Sequence, residues 1–455
     1  MALRWSLRRP STREDPVSTS RRDFVVASSV ALAAAALPRR AFGIGRPDAD
    51  PIRIGVIGCG GRGTGAVRNA LAASENVSLV AIGDLFADHL AAARANFEKA
   101  AENPEFAAKY QVTDERCFTG LDAYRQVLAT DVDLVILATP PVFRAEHLAA
   151  AIAAGKHVFM EKPVAVDVAT ALQVIAASDE ASRRGLAIVA GTQRRHDPRY
   201  VETIRRLHDG AIGDIVTGQV YWNQGGLWSH QRKPEWSDAE FQLRNWLYYT
   251  WASGDHIVEQ HVHNLDVANW VMDAHPVKAQ GMGGREVRNQ KINGQIFDHH
   301  FVEYEYANGV RLWSQARQIP GCWRSVSEHV TGTKGDANFE ARQFEITGEN
   351  ATTKRLRTGE DGHQLEHFPL FEAIRKDLPH NEAEHGANAT MTAILGRMSN
   401  YSGQVVTWDD AMASDQKLVP DNLASFDSEP PVKPDAEGWY PVALPGVTKP
   451  FEVWY

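Results

Sequence analysis

Cysteine is scarce in this chain of 455 residues: Cys59, Cys117 and Cys322 are the whole set. Three scattered thiols make no disulfide framework and no paired-cysteine zinc pattern. Positive charge is not in excess either, with 48 Lys and Arg against 57 Asp and Glu. The first 43 residues carry eight arginines and three acids, so the remainder stands at a net charge of about −14. That balance disfavours a nucleic-acid backbone as partner. Beyond residue 43 there is no long uncharged apolar run, so nothing in the mature chain reads as a membrane span. No internal repeat is visible, which sets repeat architectures aside.

What is present begins with "STSRRDFVVASSVALAAAALPRRAFG". Arg21 and Arg22 precede an alanine-rich run from Phe24 to Leu37, and Ala41, Phe42 and Gly43 offer small residues for cleavage. The run is too short to span a bilayer and sits between basic flanks. Residues 1–43 are read as a twin-arginine signal peptide, which predicts a periplasmic or otherwise exported protein with no membrane partner in its mature form. That route moves proteins already folded and suits a chain without disulfides.

From Ile52 short apolar runs alternate with helical patterns. "IRIGVIG", "VSLVAIGD", "VDLVILATP", "KHVFMEKP" and "LAIVAG" read as strands. Helices are expected over Arg62–Ala73, Leu85–Ala101, Arg144–Ala154 and Asp167–Arg184. This alternation predicts an α/β Rossmann domain, a doubly wound parallel sheet over residues 50–193. The pattern then changes. After a helix at Pro198–His208, runs such as "HHFVEYEYANGVRLWSQARQ" read as strand, Asn308-Gly309 turn and strand. Residues 194–410 are expected to form an α+β domain with a large, open, mostly antiparallel sheet for substrate and oligomer contacts. Residues 411–455, rich in proline and acids, read as an extended tail packed on the body.

"IGVIGCGGRGTGAV" places four glycines within six positions directly after the first strand. Gly58, Gly60 and Gly63 fit G-x-G-x-x-G between a strand and a helix, and Asp84 ends the next strand 21 residues after Gly63. That combination is the dinucleotide pattern. Gly58 permits the turn, Gly60 the approach of a pyrophosphate, and Gly63 close packing of helix on strand. The helix start, with Gly61, then offers free N–H groups to phosphate. Asp84 suits the adenosine ribose hydroxyls and repels a 2′-phosphate, so NAD is favoured over NADP. Arg62 is the one nearby cation able to reach a phosphate.

"MEKP" ends the fourth of these strands, where open parallel sheets bind ligands. Glu161 and Lys162 are therefore expected to face nicotinamide and substrate. Lysine can hydrogen-bond a reacting hydroxyl and take part in proton transfer. In "SGDHIVEQHVHNLDVANW", read as one helix, Glu259, His263 and Asp266 share a face, with His256 one turn earlier. Glu259 is then placed to orient His263 as a general base. The histidines and Glu259 are potential metal ligands, yet their spacing matches no zinc motif and His261 points away from His263. No metal is expected.

"GVIGCGGRG", "ATPPVFRAEH", "GKHVFMEKP", "GTQRRHDPRY", "GAIGDI" and His263-x-x-Asp266 together resemble the Gfo/Idh/MocA oxidoreductase family over roughly residues 50 to 410. The resemblance implies that Thr139, Pro140, His147 and Glu161 line the nicotinamide side. It implies Lys162 and His263 as catalytic residues and Arg195 as support for the substrate. Gly61, Arg62 and Gln193 complete the candidate cofactor set, and Trp222, His256 and Asp266 the substrate set. Two positions depart from the pattern: Glu259 where aspartate is frequent, and His261 where glycine is common. An insertion at 225–254 gathers Trp228, Trp236, Trp246, Tyr248, Tyr249 and Trp251, either a surface for sugar rings or a packing lobe.

These readings point to an exported NAD-dependent oxidoreductase acting on a hydroxyl or keto group of a sugar, glycoside or polyol, expected as a homo-oligomer (dimer or tetramer). The rivals are an NAD-dependent glycosidase using transient redox, whose Tyr-Pro-Thr-His type motif is absent here, and a sugar-binding protein with a vestigial cofactor site.

Overall fold

Charge-free runs of Val, Ile and Leu form stable strands where both faces of a sheet are covered. The computed structural model describes residues 50–341, 343–355, 361–421 and 423–455; the expected signal peptide lies outside them. Strands β1 (Ile52–Ile57), β2 (Val77–Asp84), β3 (Cys117–Thr119), β4 (Leu134–Leu137), β5 (His157–Met160) and β6 (Ile188–Ala190) form one sheet. Its order is β3-β2-β1-β4-β5-β6 and every pairing is parallel. The order reverses between β1 and β4, which opens a crevice at their C-terminal ends. The helices Gly61–Ala73, Ala87–Ala100, Arg144–Ala153 and Val168–Arg183 follow the expected positions closely. Leu85 and Phe86 stay out of the second helix because both are buried in a neighbouring apolar cluster.

The second half is built on β7 (Ile215–Gln224), β8 (Lys278–Gly284), β9 (His299–Glu305), β10 (Arg311–Gln318), β11 (Ser325–Gly332), β12 (Asp336–Phe339), β13 (Gln343–Ile346), β14 (Thr352–Arg355) and β15 (Val406–Thr407). They pair in the order β14-β13-β12-β11-β7-β10-β9-β8-β15. Only β7 with β10 is parallel; the other pairings are antiparallel. The β9–β10 hairpin turns at Gly309, whose φ of 83° favours glycine. Alternate residues of β9 and β10 are buried, as expected of a sheet covered on one face. Val302, Tyr304 and Leu312 pack there with Leu265 and with Met391, Ile394 and Leu395 of the helix Ala383–Ser402.

The chain does not stay on one side of residue 193. Leu370, Phe371, Ala373 and Ile374 share a core with Ile54, Val56 and Phe97 of the parallel-sheet half. Ala383 and Ala387 join the core beneath β5 and β6. Beyond residue 412 the backbone is irregular but anchored: Leu418 N and Val419 N donate to Asp167 Oδ2, at 2.6 and 3.2 Å. Most of the aromatic insertion is core. Trp236, Tyr248, Tyr249 and Trp251 are buried with Phe86, Val142 and Phe143, whereas Trp228 is 47% exposed.

Candidate active site

The glycine loop leaves β1 through Gly58, at φ 101°, where a Cβ would lie 2.4 Å from the Ala138 carbonyl carbon. A Cβ on Gly63 would lie 1.8 Å from Gly58 O, so helix and strand touch backbone to backbone. Gly60 and Gly61 differ: a Cβ on either meets nothing within 4 Å. The helix Gly61–Ala73 starts there with no side-chain cap and no acid in its first turn. Free N–H groups facing open space fit a pyrophosphate. Asp84 is buried at the end of β2 and accepts from Cys59 N at 2.6 Å and Phe86 N at 2.8 Å. Each carboxylate oxygen keeps capacity for a ribose hydroxyl. The buried Gln193 Oε1 has no partner, a further mark of a polar ligand in this crevice.

Thr139 and Pro140 follow β4. The Thr139 Oγ1 lies 3.2 Å from His147 Nδ1, and His147 stacks on Tyr124 with ring centroids 4.2 Å apart. Burial, with Arg144 adding to it, lowers the His147 pKa to about 3, so the ring is neutral. Both His147 and Thr139 are buried at the end of β4. Glu161 accepts from Arg62 Nε at 2.5 Å, and Arg62 Nη2 reaches the buried Glu366 Oε1 at 3.1 Å. Arg62 therefore bridges two carboxylates instead of pointing freely at a phosphate.

Lys162 follows directly. Its Nζ donates to the Glu259 carbonyl at 2.6 Å and to Glu259 Oε1 at 3.1 Å. His263 is buried against Trp222, with ring centroids 5.6 Å apart and planes at 23°. Burial first, then the cations of Lys162 and Arg194, hold His263 well below the usual imidazole range. A neutral imidazole thus sits near an ammonium. Asp266 accepts from Arg195 at two nitrogens, Nε at 3.0 Å and Nη2 at 2.8 Å, which locks Arg195 in place.

The stretch 253–270 is not one helix. Gly254 at φ 80° and Asp255 at φ 77° break it before the short helix His256–Glu259, and a second helix begins at Val262. Glu259 consequently turns to Lys162 and does not orient His263. His256 is also displaced from the substrate side. It packs edge-on against His300, centroids 4.8 Å apart, and is 2% exposed. One ligand atom from each of Asp255, His256 and His300 falls within 4.8 Å of the others. Both Asp255 oxygens are nevertheless engaged by His256 N, Phe297 N and the Tyr401 hydroxyl, and Arg285, Arg288 and Arg397 act on the same pocket. That environment suits no further cation. His261 bonds to Ser314 Oγ at 2.7 Å, away from His263 as expected.

Two residues near the site escaped the sequence reading. Arg194 lies over Trp222 at 6.0 Å and pairs with the buried Glu328, which also accepts from Tyr200 and Asn264. It adjoins Arg195 in the same motif, and only geometry separates the arginine held by Asp266 from the one held by Glu328 over Trp222. Glu366 carried no local signal.

Fold and site together define a two-domain nucleotide-dependent oxidoreductase architecture. The chain belongs to the Gfo/Idh/MocA oxidoreductase family: the model of its NAD-binding Rossmann domain matches residues 52–189 and that of its C-terminal domain residues 200–352. An inositol 2-dehydrogenase of Gluconacetobacter diazotrophicus is 29% identical over 259 residues, 57% of this chain and 65% of that protein. Inositol 2-dehydrogenase 4 of Saccharopolyspora erythraea is 33% identical over 162 residues, 36% of this chain and 42% of that protein. The matched stretch thus spans under two thirds of either relative. In fold, the aldose-aldose oxidoreductase from Caulobacter crescentus superposes with a TM-score of 0.61 at 17% identity, covering 78% of this chain and 99% of that one.

Proposed function

We propose that this protein is an exported, NAD-dependent oxidoreductase acting on a CH–OH group of a sugar or polyol. The observation that carries the reading is the pairing of Lys162, held by Glu259 at the end of β5, with the buried neutral His263 from the other half. When bound, NAD accepts hydride from the substrate carbon. Lys162 spends two donor directions on Glu259 and keeps a third for the substrate oxygen. His263, uncharged, has a lone pair for the hydroxyl proton. Arg194 and Trp222 offer an edge and a face to a ring bearing hydroxyls. The family match and the inositol dehydrogenase relatives support a polyhydroxylated substrate.

A panel of neutral sugars, polyols and uronic acids, each mixed with protein and NAD, tests this through NADH absorbance. Failure of every hydroxylated ring to reduce NAD, with NAD bound, would remove the proposal. Export is tested by replacing Arg21 and Arg22 with lysine, which should leave the chain in the cytoplasm uncleaved. A homo-oligomer is proposed from the outer face of the second sheet. Met282, Phe301, Gln315 and Tyr221 line up across β8, β9, β10 and β7, and Trp323, 62% exposed, packs edge-on against Tyr221. Light scattering should give a multiple of the chain mass, reduced by Trp323→Glu.

A further inference from the structure

Among the described residues three non-glycine positions have positive φ: Asp255, Asp273 and Asp377. Asp273 and Asp377 close helices in the left-handed region that aspartate tolerates. Asp255 is different. Its φ of 77° and ψ of 163° fall where essentially only glycine is at ease. If the turn alone mattered, glycine would be the favoured residue there. The carboxylate must therefore be what the position requires.

That carboxylate is a hub. Oδ1 accepts from His256 N; Oδ2 accepts from Phe297 N at 3.0 Å and from the Tyr401 hydroxyl, with His300 Nε2 at 3.3 Å. Burial opposes its charge, but His300, His256 and Tyr401 outweigh burial and hold it well below the usual carboxylate range. The Asp255 carbonyl accepts from Val258 N at 3.0 Å and Glu259 N at 2.9 Å. The same short turn thus ends on the residue that grips Lys162. The other side of the grip is tied as well. The buried Arg397 donates from one nitrogen to Val166 O at 2.6 Å, four residues after Lys162, and to Gly254 O at 3.1 Å. Arg397 and Tyr401 stand one turn apart on the helix Ala383–Ser402, beyond both family-matched stretches.

We infer that Asp255 is a positioning residue which, with Tyr401 and Arg397, forms a frame setting the Lys162 ammonium against Glu259. The frame joins the strand-end loop of one half to the turn of the other through a third element. It touches neither substrate nor cofactor. The inference rests on Lys162 acting in proton handling.

Two variants test it: Tyr401→Phe, which removes one hydroxyl, and Asp255→Gly, which relieves the backbone while deleting the hub. Each is measured for kcat, KM, NADH affinity, melting temperature and the pH dependence of kcat, beside Lys162→Met. A misplacement of about 1 Å near the chemistry can cost up to roughly 100-fold. The expected result is a kcat loss approaching that size, a displaced pH profile, and unchanged NADH affinity. Lys162→Met inactive while both frame variants keep the parent kcat and pH profile overturns the frame alone. A kcat loss that merely tracks lost NADH binding or melting temperature also overturns it. An active Lys162→Met overturns the reading beneath it.

Discussion

Lys162 follows β5 in one half and His263 lies on the helix Val262–Met272 of the other, and neither lies at the glycine loop. Their removal should therefore spare cofactor binding and damage the chemical step. General acid–base groups contribute typically about 10²–10⁴-fold. Lys162→Met and His263→Ala should each lower single-turnover NAD reduction within that range, and the double variant by less than the product. His263→Ala at the parent rate would falsify its role. Asp84 is proposed to set the choice of cofactor. Besides the ribose capacity, its two oxygens hold Cys59 N and Phe86 N, so Asp84→Ala loosens the loop as well as removing repulsion. Calorimetry should show NAD affinity falling far more than NADP affinity; a parent that already prefers NADP contradicts this.

At the level of elements, the glycine loop makes a sharp contrast possible. Gly63→Ala drives a methyl into Gly58 O, so it should lower both melting temperature and NAD affinity. Gly60→Ala meets no protein atom within 4 Å, so it should leave melting temperature alone and still weaken NAD binding, because the methyl occupies the pyrophosphate space. Equal effects of the two on melting temperature would mean that this space is not where the phosphates lie. The loop was legible in sequence because its demands are local: a positive φ, a strand before it, a helix after it. Five of the six parallel strands and the β9–β10 hairpin were legible for the same reason; β3, three residues long and only partly buried, was not. The stretch 253–270 was misread as one helix. Gly254 signalled a break, but the conformation of Asp255 depends on Tyr401, 146 residues away. The bridge from Arg62 to Glu366 spans 304 residues and leaves no periodicity to find.

Across the whole molecule, several imidazoles are buried uncharged. Burial above all lowers His147, His261 and His367 to about 3. An unfolded histidine titrates near 6.5, so between about pH 6.5 and 3 the unfolded chain binds protons that the folded one refuses. Stability is complete above that window and is lost as pH falls through it, by up to about 1.4 kcal/mol per pH unit for each such residue. Glu382, held at about 2 by His196 and His380 against the cost of burial, acts in the same direction at lower pH. Melting temperature should be flat in mild alkali and fall steeply in acid. His367→Phe, which keeps a ring against Phe159, should make that fall shallower; an unchanged slope would show that His367 is not among the groups responsible.

The return of residues 367–387 to the first core has a consequence for synthesis. A nascent chain that has just emerged through residue 193 holds six strands but lacks Leu370, Phe371, Ile374, Ala383 and Ala387, which complete the cores on either side of those strands. Such a half would leave apolar surface open until the ribosome has nearly finished. The nucleotide-binding half, although first in order, is therefore among the last parts to be sealed, and a fragment cut at residue 193 should need its distal segment supplied in trans to remain in solution.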